Sequence, residues 1–475
     1  MGVSDVALGR CPTAPAIALP HEHRRRSGGW RAASSRRLPA LRARLTKPVE
    51  ATGSRLSRLR AWYDLHRGAR TVVIVWLVSR TVSLLILATR AERFSVGDVY
   101  YYHRKLSALF DVGLAQTLNE YPTPVVWILL LPYAAGGSRV GYFVAFLAFM
   151  LLLDAAFTYA LYRSAGHQHN HAVDFWLLFV FLIGALSFLR FDLLPAVLAG
   201  GALLATRRRP WVTGALTGLG AAVKLWPALL IPSFMAYRPH RRAAGLAFVV
   251  VGFGLAGVSL LAGGWTRLLS PLTWQSDRGL QIESIWATPL MVARAIRPDG
   301  WSVAMSPYQA NEILGPGVGL WVLASNLATV LGLGVVAVLI ICAFRAIDPT
   351  PVAVGFLILT TVAVMIVTNK TLSPQYLLWL GGPAAALLLL RDRATADERP
   401  AIRRSAYALL LLAMLTHLVY PLLYYSLLGV KGYPMVILAT VVTTARNLAL
   451  LAFTGYVGHL AWRFLRAGQR SRADA

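Results

Sequence analysis

The sequence predicts an all-α polytopic membrane protein, and three observations carry that reading. The 475 residues are 57% hydrophobic and 14% charged, with a mean hydropathy of +0.57, whereas an average soluble domain carries roughly 25% charge. Ten apolar runs are long enough to cross a bilayer. The 47 basic residues outnumber the 20 acidic ones, for a formal charge of +27, and lie mostly between those runs. Such a distribution fits membrane topology rather than a nucleic-acid partner. A cytosolic enzyme, a disordered tail protein and a disulfide scaffold are all excluded. Cys11 sits in a basic tail and Cys342 inside an apolar run, which suggests neither a disulfide nor a metal site. Only five basic residues are lysine, a usage typical of a GC-rich bacterium. No repeat of 20–50 residues is visible.

Residues 1–70 hold 14 Arg and one Lys against Asp5, Glu22, Glu50 and Asp64. They read as a solvated, poorly ordered cytoplasmic arm near anionic lipid. Arg24-Arg25-Arg26 lacks the apolar stretch an export signal needs, so a cleaved leader is not expected. The spans expected next are 71–89, 140–162, 172–189, 191–206, 243–262, 316–344, 351–368, 372–390, 403–422 and 433–462. The stretch 211–237, broken at Lys224 and Pro227 and flanked by arginines, reads as a segment that enters and returns. That gives ten clear helices plus a broken pair, a bundle of about 10–12. The short, proline-bounded run 124–136 reads as a re-entrant or interfacial piece. Residues 71–465 then form the membrane domain and 466–475 a tail.

Orientation follows from the basic residues. With the N-terminus inside, inner segments carry 32 of them, outer segments about 12, and the outer segments also hold nine acids. Both termini are therefore expected in the cytoplasm of a bacterial cell. The outer loops, 90–139 and 263–315 with short ones at Lys370 and Lys431, are where chemistry would sit.

In the first loop, Asp98 follows Gly97 just past the first span. Its carboxylate suits a general base near a hydroxyl, and equally a helix N-cap. Asn119-Glu120-Tyr121-Pro122 reads as a turn that opens the short apolar piece. Arg190 and Asp192 interrupt two runs and could satisfy each other. In the second long loop, Arg278 offers a planar fork for phosphate, while Gln281 and Glu283 suit sugar hydroxyls; an ordinary solvated loop is the alternative. Lys370 stands where a helix re-enters the membrane, poised to snorkel or to bind phosphate. Arg80, Asp154, Lys224 and Arg446 lie within spans, as functional groups or as structural pairs. His167-Gln168-His169-Asn170-His171 reads as a chance polar loop, and His21-Glu22-His23 lacks zincin spacing.

Four motifs in order, Arg190-Phe191-Asp192-Leu193-Leu194-Pro195, Gly214 to Lys224 with Pro227, Gln281-Ile282-Glu283-Ser284, and Asn369-Lys370 with Ser373-Pro374-Gln375-Tyr376, give the chain its family likeness. The sequence resembles glycosyltransferase family 87 over roughly residues 70–465. The resemblance implies a GT-C-like bundle with outer-face loops and re-entrant helices. It further implies transfer of a sugar, mannose in first place or arabinofuranose, from a polyprenyl-phosphate donor to a glycolipid or cell-wall glycan acceptor on the extracytoplasmic face. It points to Asp98 as the base of an inverting reaction, although the residues around Asp98 depart from the family pattern. Arg278, Lys370 and Arg190 would then bind the donor phosphate, and Gln281, Glu283, Asp192, Gln375 and Tyr376 the acceptor or sugar. Since no sugar-nucleotide diphosphate needs bridging, no cofactor or metal is implied, with a divalent ion left open. A transporter or flippase of lipid-linked sugars is the runner-up, and it would lack the paired broken helices such proteins often show.

Overall fold

The computed structural model describes residues 68–89, 93–166, 170–346, 349–430 and 432–470. The expectations for the basic arm, for Cys11, His21-Glu22-His23, His167 to His169 and Lys431, and for the last five residues lie outside them.

The described chain is almost wholly helical. Its elements are α1 (Ala69–Leu87), α2 (Gly97–Ser107), α3 (Thr123–Gly136), α4 (Arg139–Ser164), α5 (His171–Ile183), α6 (Leu193–Ala205) and α7 (Pro210–Val223). There follow α8 (Trp226–Met235) and α9 (Arg238–Ser276), then α10 (Thr288–Ile296) and the hairpin β1 (Ser302–Met305) and β2 (Asn311–Leu314). The chain continues through α11 (Val318–Arg345), α12 (Pro351–Thr368), α13 (Leu378–Leu388), α14 (Glu398–Leu422) and α15 (Tyr433–Arg470). Seven of these, α1, α4, α9, α11, α12, α14 and α15, are long and apolar enough to cross a bilayer, and α3, α5, α6 and α8 are shorter apolar helices. The protein is an all-α polytopic membrane protein.

Sequence logic explains most boundaries. Asn170 caps α5 by accepting from the backbone N–H groups of Ala172 and Val173, and Thr350 caps α12 through Ala353. The broken segment 211–237 is divided where expected: Lys224 is extended (φ −151°, ψ 132°) between α7 and the one-turn start of α8. Two features were not expected. Helix α9 runs well beyond the anticipated span 243–262, with a π-helical turn at Val249–Phe253 and a kink at Gly264. The loop 263–315 contains an amphipathic helix and a two-stranded hairpin, whose register pairs Ser302 with Leu314 and Met305 with Asn311.

Helix α12 is the centre of the bundle. All but two of its 18 residues are buried, whereas α1 buries only Arg80, Ser83 and Leu87. Without a hydrophobic drive between helices in lipid, close backbone approach at small residues holds such bundles together. Helices α6 and α13 cross at Gly200 and Gly382, where a Cβ on Gly382 would collide with the Ala196 carbonyl. Two of the intramembrane charges form a rivet between α1 and α4. Asp154 accepts from Trp76 Nε1 (2.6 Å), Arg80 Nε (2.8 Å), Arg80 Nη2 (3.0 Å) and Trp176 Nε1 (2.8 Å). Arg80 Nη1 donates onward to the Leu177 carbonyl at 2.8 Å. Both side chains are at most 2% exposed, so the pair is a closed structural network.

Candidate active site

The polar groups gather where the helices meet the loops 90–139 and 263–315. Asp98 lies in the first turn of α2, one residue inside the helix; Val96 is the N-cap and no side chain caps there. The capping reading of Asp98 therefore falls away. Its carboxylate, placed near the positive end of the helix, lies 2.7 Å from Arg190 Nε. The Nε–H does not point along that contact, so this is a charge pair rather than an aligned hydrogen bond. Arg190 Nη1 donates to the carbonyls of Ser95 (3.3 Å) and Leu189 (3.4 Å). The Arg190 side chain is 9% exposed and that of Asp98 43%. Although Asp98 opens outward, the protein around it withholds enough water to raise its pKa above the usual carboxylate value. Arg190 and Lys224 pull against that rise, and Asp192 adds to it.

Arg190 and Asp192 do not satisfy each other, contrary to the sequence reading. Asp192 instead takes hydrogen bonds on Oδ1 from Lys224 Nζ and, at 2.8 Å, from Trp379 Nε1. The extended backbone of Arg190 (φ −133°, ψ 137°) and the entry into α6 at Asp192 let two residues two apart serve different partners. The outcome is two crossed ion pairs, Asp98–Arg190 and Asp192–Lys224. Arg190 is committed to an acid, which weakens its expected part in holding the donor phosphate.

A second polar group unites the motifs at 274–284 and 369–376. The Gln281 N–H donates to the Lys370 carbonyl (3.2 Å), and Lys370 Nζ donates to the Ser276 carbonyl (2.7 Å). Gln281 pairs with Glu312 across an isolated bridge and reaches Ser373 Oγ at 3.4 Å. Gln281 Oε1, Glu312 Oε1 and Arg278 Nε are enclosed without a protein partner. Burial lowers the Lys370 pKa, with Glu312 opposing and Arg278 reinforcing, so the two cations lie within electrostatic reach of each other. Gln375 is half-buried, and Tyr376 stacks on Trp379 with centroids 4.1 Å apart.

Glu283 is more enclosed than its expected sugar-binding part would require, at 1% exposure. Arg446 Nη2 sits 3.4 Å from Oε2 and donates to the Glu283 carbonyl at 3.0 Å, while Asn447 Nδ2 donates to the same carbonyl at 3.2 Å. Burial pushes the Glu283 carboxyl up to about 7, with Arg446 pulling the other way. The intramembrane Arg446 is thereby explained as the anchor that fastens the loop 263–315 to α15.

Tyr420 and Tyr424 link the groups. Tyr420 lies within electrostatic reach of Arg190, Asp98 and Glu283, and Tyr424 accepts a 2.8 Å hydrogen bond from Asn311 in β2. Neither tyrosine, nor Glu312 or Trp379, was singled out in the sequence. Aromatic residues in apolar runs look like core, and only the Lys224 break hinted that a polar partner must lie nearby. A furrow of about 490 Å³ runs between α1 and α5, lined among others by Val78, Val82, Leu177 and Phe181. A smaller cavity of about 190 Å³ shares Phe181 and reaches His417 and Leu418, just before Tyr420.

No curated protein shows significant similarity to the chain. The model of glycosyltransferase family 87 matches residues 121–374, which include Arg190, Asp192, Lys224, Arg278, Gln281, Glu283 and Lys370 and exclude Asp98, Gln375 and Tyr376. With more than half its length matched in the expected order, on a polytopic helical bundle, the chain belongs to glycosyltransferase family 87 and is a membrane glycosyltransferase.

Proposed function

We propose that the enzyme moves a sugar, mannose before arabinofuranose, from a polyprenyl-phosphate donor to a glycolipid or cell-wall glycan acceptor, with inversion and with Asp98 as general base. The observation that carries this reading is the Asp98–Arg190 pair, in which the acid is 43% exposed and its partner enclosed. Asp192 and Glu283, two other acids of these polar groups, are at most 2% exposed and paired with their own cations. Of the three, Asp98 is thus the carboxylate most open to an acceptor hydroxyl.

In the reaction, Asp98 takes the proton of the acceptor hydroxyl as that oxygen attacks the anomeric carbon. The bond from this carbon to the phosphate oxygen breaks on the opposite face, and its electron pair leaves with polyprenyl phosphate. Arg278 and Lys370 stabilise the growing negative charge, a task that suits prearranged cations in a site of low dielectric. Gln281, Gln375 and Tyr376 face the sugars, while Glu283 holds the loop. The apolar furrow between α1 and α5 suits an isoprenoid chain. Residues 1–70 form a basic arm and 466–475 a tail, both on the cytoplasmic side of a bacterial plasma membrane, and 71–465 the transferase domain with its site outside.

The test is direct. Purified protein is incubated with radiolabelled polyprenyl-phosphate mannose or arabinofuranose and a membrane glycolipid fraction. Labelled glycolipid from mannose supports the reading, and product from arabinofuranose alone would replace the sugar. Labelled donor that crosses the bilayer without a glycosidic product would overturn it.

A further inference from the structure

The Asp192–Lys224 pair differs from the Arg80–Asp154 rivet in what it leaves open. Asp154 has hydrogen bonds on both oxygens. On Asp192 the hydrogen bonds from Lys224 and Trp379 both fall on Oδ1, which leaves Oδ2 to accept another. Lys224 has three N–H donors, of which one serves Asp192. Around the rest of the ammonium stand ring faces, with centroids at 5.9 Å (Tyr121), 5.3 Å (Phe191), 5.4 Å (Tyr376) and 5.0 Å (Trp379). Rings attract the charge but are weak hydrogen-bond acceptors. Lys224 keeps 17% of its side chain open. A second observation points the same way. Trp226, 6% exposed and stacked on Trp379, has an indole N–H with no acceptor.

Charge decides what would bind there. A phosphate calls for an excess of positive charge, and Asp192 would repel it. A sugar calls for a donor beside an acceptor, matched to two adjacent hydroxyls, and for aromatic rings against its apolar face. We infer that Lys224 and Asp192, boxed by Tyr121, Phe191, Tyr376 and Trp379, clamp two adjacent hydroxyls of the transferred sugar, which makes Lys224 a specificity-determining residue. This rests on the donor reading above and deepens it. Lys224 donates to one hydroxyl and Asp192 Oδ2 accepts from its neighbour, beside the Asp98–Arg190 pair.

The experiment uses full-length protein and a set of polyprenyl-phosphate monodeoxymannoses. The parent should lose about tenfold to a hundredfold in kcat/KM with the one or two analogues that lack a clamped hydroxyl, the scale of a lost charged hydrogen bond. Lys224→Met and Asp192→Asn should lose a similar factor with mannose itself and little more with those same analogues. Losses spread evenly over every analogue would show that the pair only shapes the fold. Because Lys224→Met strands Asp192, Lys224→Arg serves as a second variant. It keeps the charge and the thermal stability but shifts the donors, so its losses should fall on the same hydroxyls, and even losses would again overturn the clamp. A parent that transfers no sugar from any such donor overturns the donor reading itself, whereas a parent that transfers every deoxy sugar equally well overturns the clamp alone.

Discussion

Asp98→Asn keeps the shape of the side chain, and removes its charge beside Arg190 and its capacity to take a proton. The structure sets the scale of the two consequences. Exposed ion pairs contribute about 0–1 kcal/mol, while stripping one partner from an enclosed pair costs about 3–5 kcal/mol. With Asp98 43% exposed and Arg190 9%, the loss of stability should fall between, at about 1–2 kcal/mol. Turnover should fall much further, by roughly 10²–10⁴-fold, the usual contribution of a general base. The assay is the initial rate of transfer from labelled polyprenyl-phosphate mannose by purified protein, beside a thermal melt and a donor-binding measurement. The pH profile adds a check with a definite sign. A base must be unprotonated, so activity is lost as pH falls through the Asp98 pKa. Burial has raised that pKa above the usual range, so the acid limb should lie above that of a free carboxylate. Arg190→Met removes a group that lowers the pKa and should move the limb higher still. Transfer by Asp98→Asn at the parental rate would refute the assignment, and Asp192 and Glu283 would be the next acids to replace.

Arg278→Gln or Lys370→Gln should slow turnover or weaken donor binding by about 1.5–3 kcal/mol each; unchanged kinetics in both would remove the phosphate assignment. For Glu283, whose carboxyl is raised from 4.5 to about 7, the folded state binds the proton more tightly. Its stability contribution is then fully present below about 4.5 and lost as pH rises through about 7, by on the order of 3 kcal/mol at most. The melting temperature of the parent relative to Glu283→Gln should therefore fall between pH 5 and pH 8, and a difference that rises would contradict this. Asp154→Ala strands an enclosed Arg80 and should destabilise by about 3–5 kcal/mol, while Asp154→Leu with Arg80→Met should recover most of it, as read from thermal melts in detergent. In a protein freed of its own cysteines, Asp111→Cys and Asp299→Cys should react with an impermeant thiol reagent on intact cells and Asp397→Cys should not; labelling at the last position would reverse the orientation.

Much of the bundle was legible because lipid imposes a simple rule, that a span is a long apolar run. Among the described residues seven of the ten expected runs are helices long enough to cross, while 172–189, 191–206 and 372–390 form shorter ones. The break at Lys224 was legible for the same reason, since a charge and a nearby proline end a helix there. The hairpin at Ser302–Leu314 was not. Its strands are four residues long, too short for an alternating pattern to stand out from a polar loop. Pairing was the least legible feature. Sequence proximity suggested Arg190 with Asp192, but a two-residue separation says little when the backbone between them is extended and a helix begins. Arg80 and Asp154 lie 74 positions apart, and Arg446 and Glu283 163 apart. Such distances are closed by helix packing, which leaves no local trace.

Two enclosed pairs bear on where the polar groups gather, at the ends of the helices. Asp154 lies mid-helix in α4, where lipid leaves no alternative partner, so its network must close on itself. Glu283 and Arg446 join a loop to a helix, and the orphaned Glu283 Oε1 and Arg446 Nε show a pair whose geometry serves the backbone carbonyl more than the charges. Through that carbonyl, and through Gln281 N–H on the Lys370 carbonyl, distant segments of the chain are joined. Asp98 is outside the stretch that matches the family, yet its charged partner Arg190 is inside it. On the proposed reading, the loop 90–139 contributes an acid to a site whose other parts the matched stretch supplies. A substitution at Arg190 should consequently be felt as a change in the behaviour of Asp98, in the acid limb of the rate profile, before it is felt in the affinity for the donor.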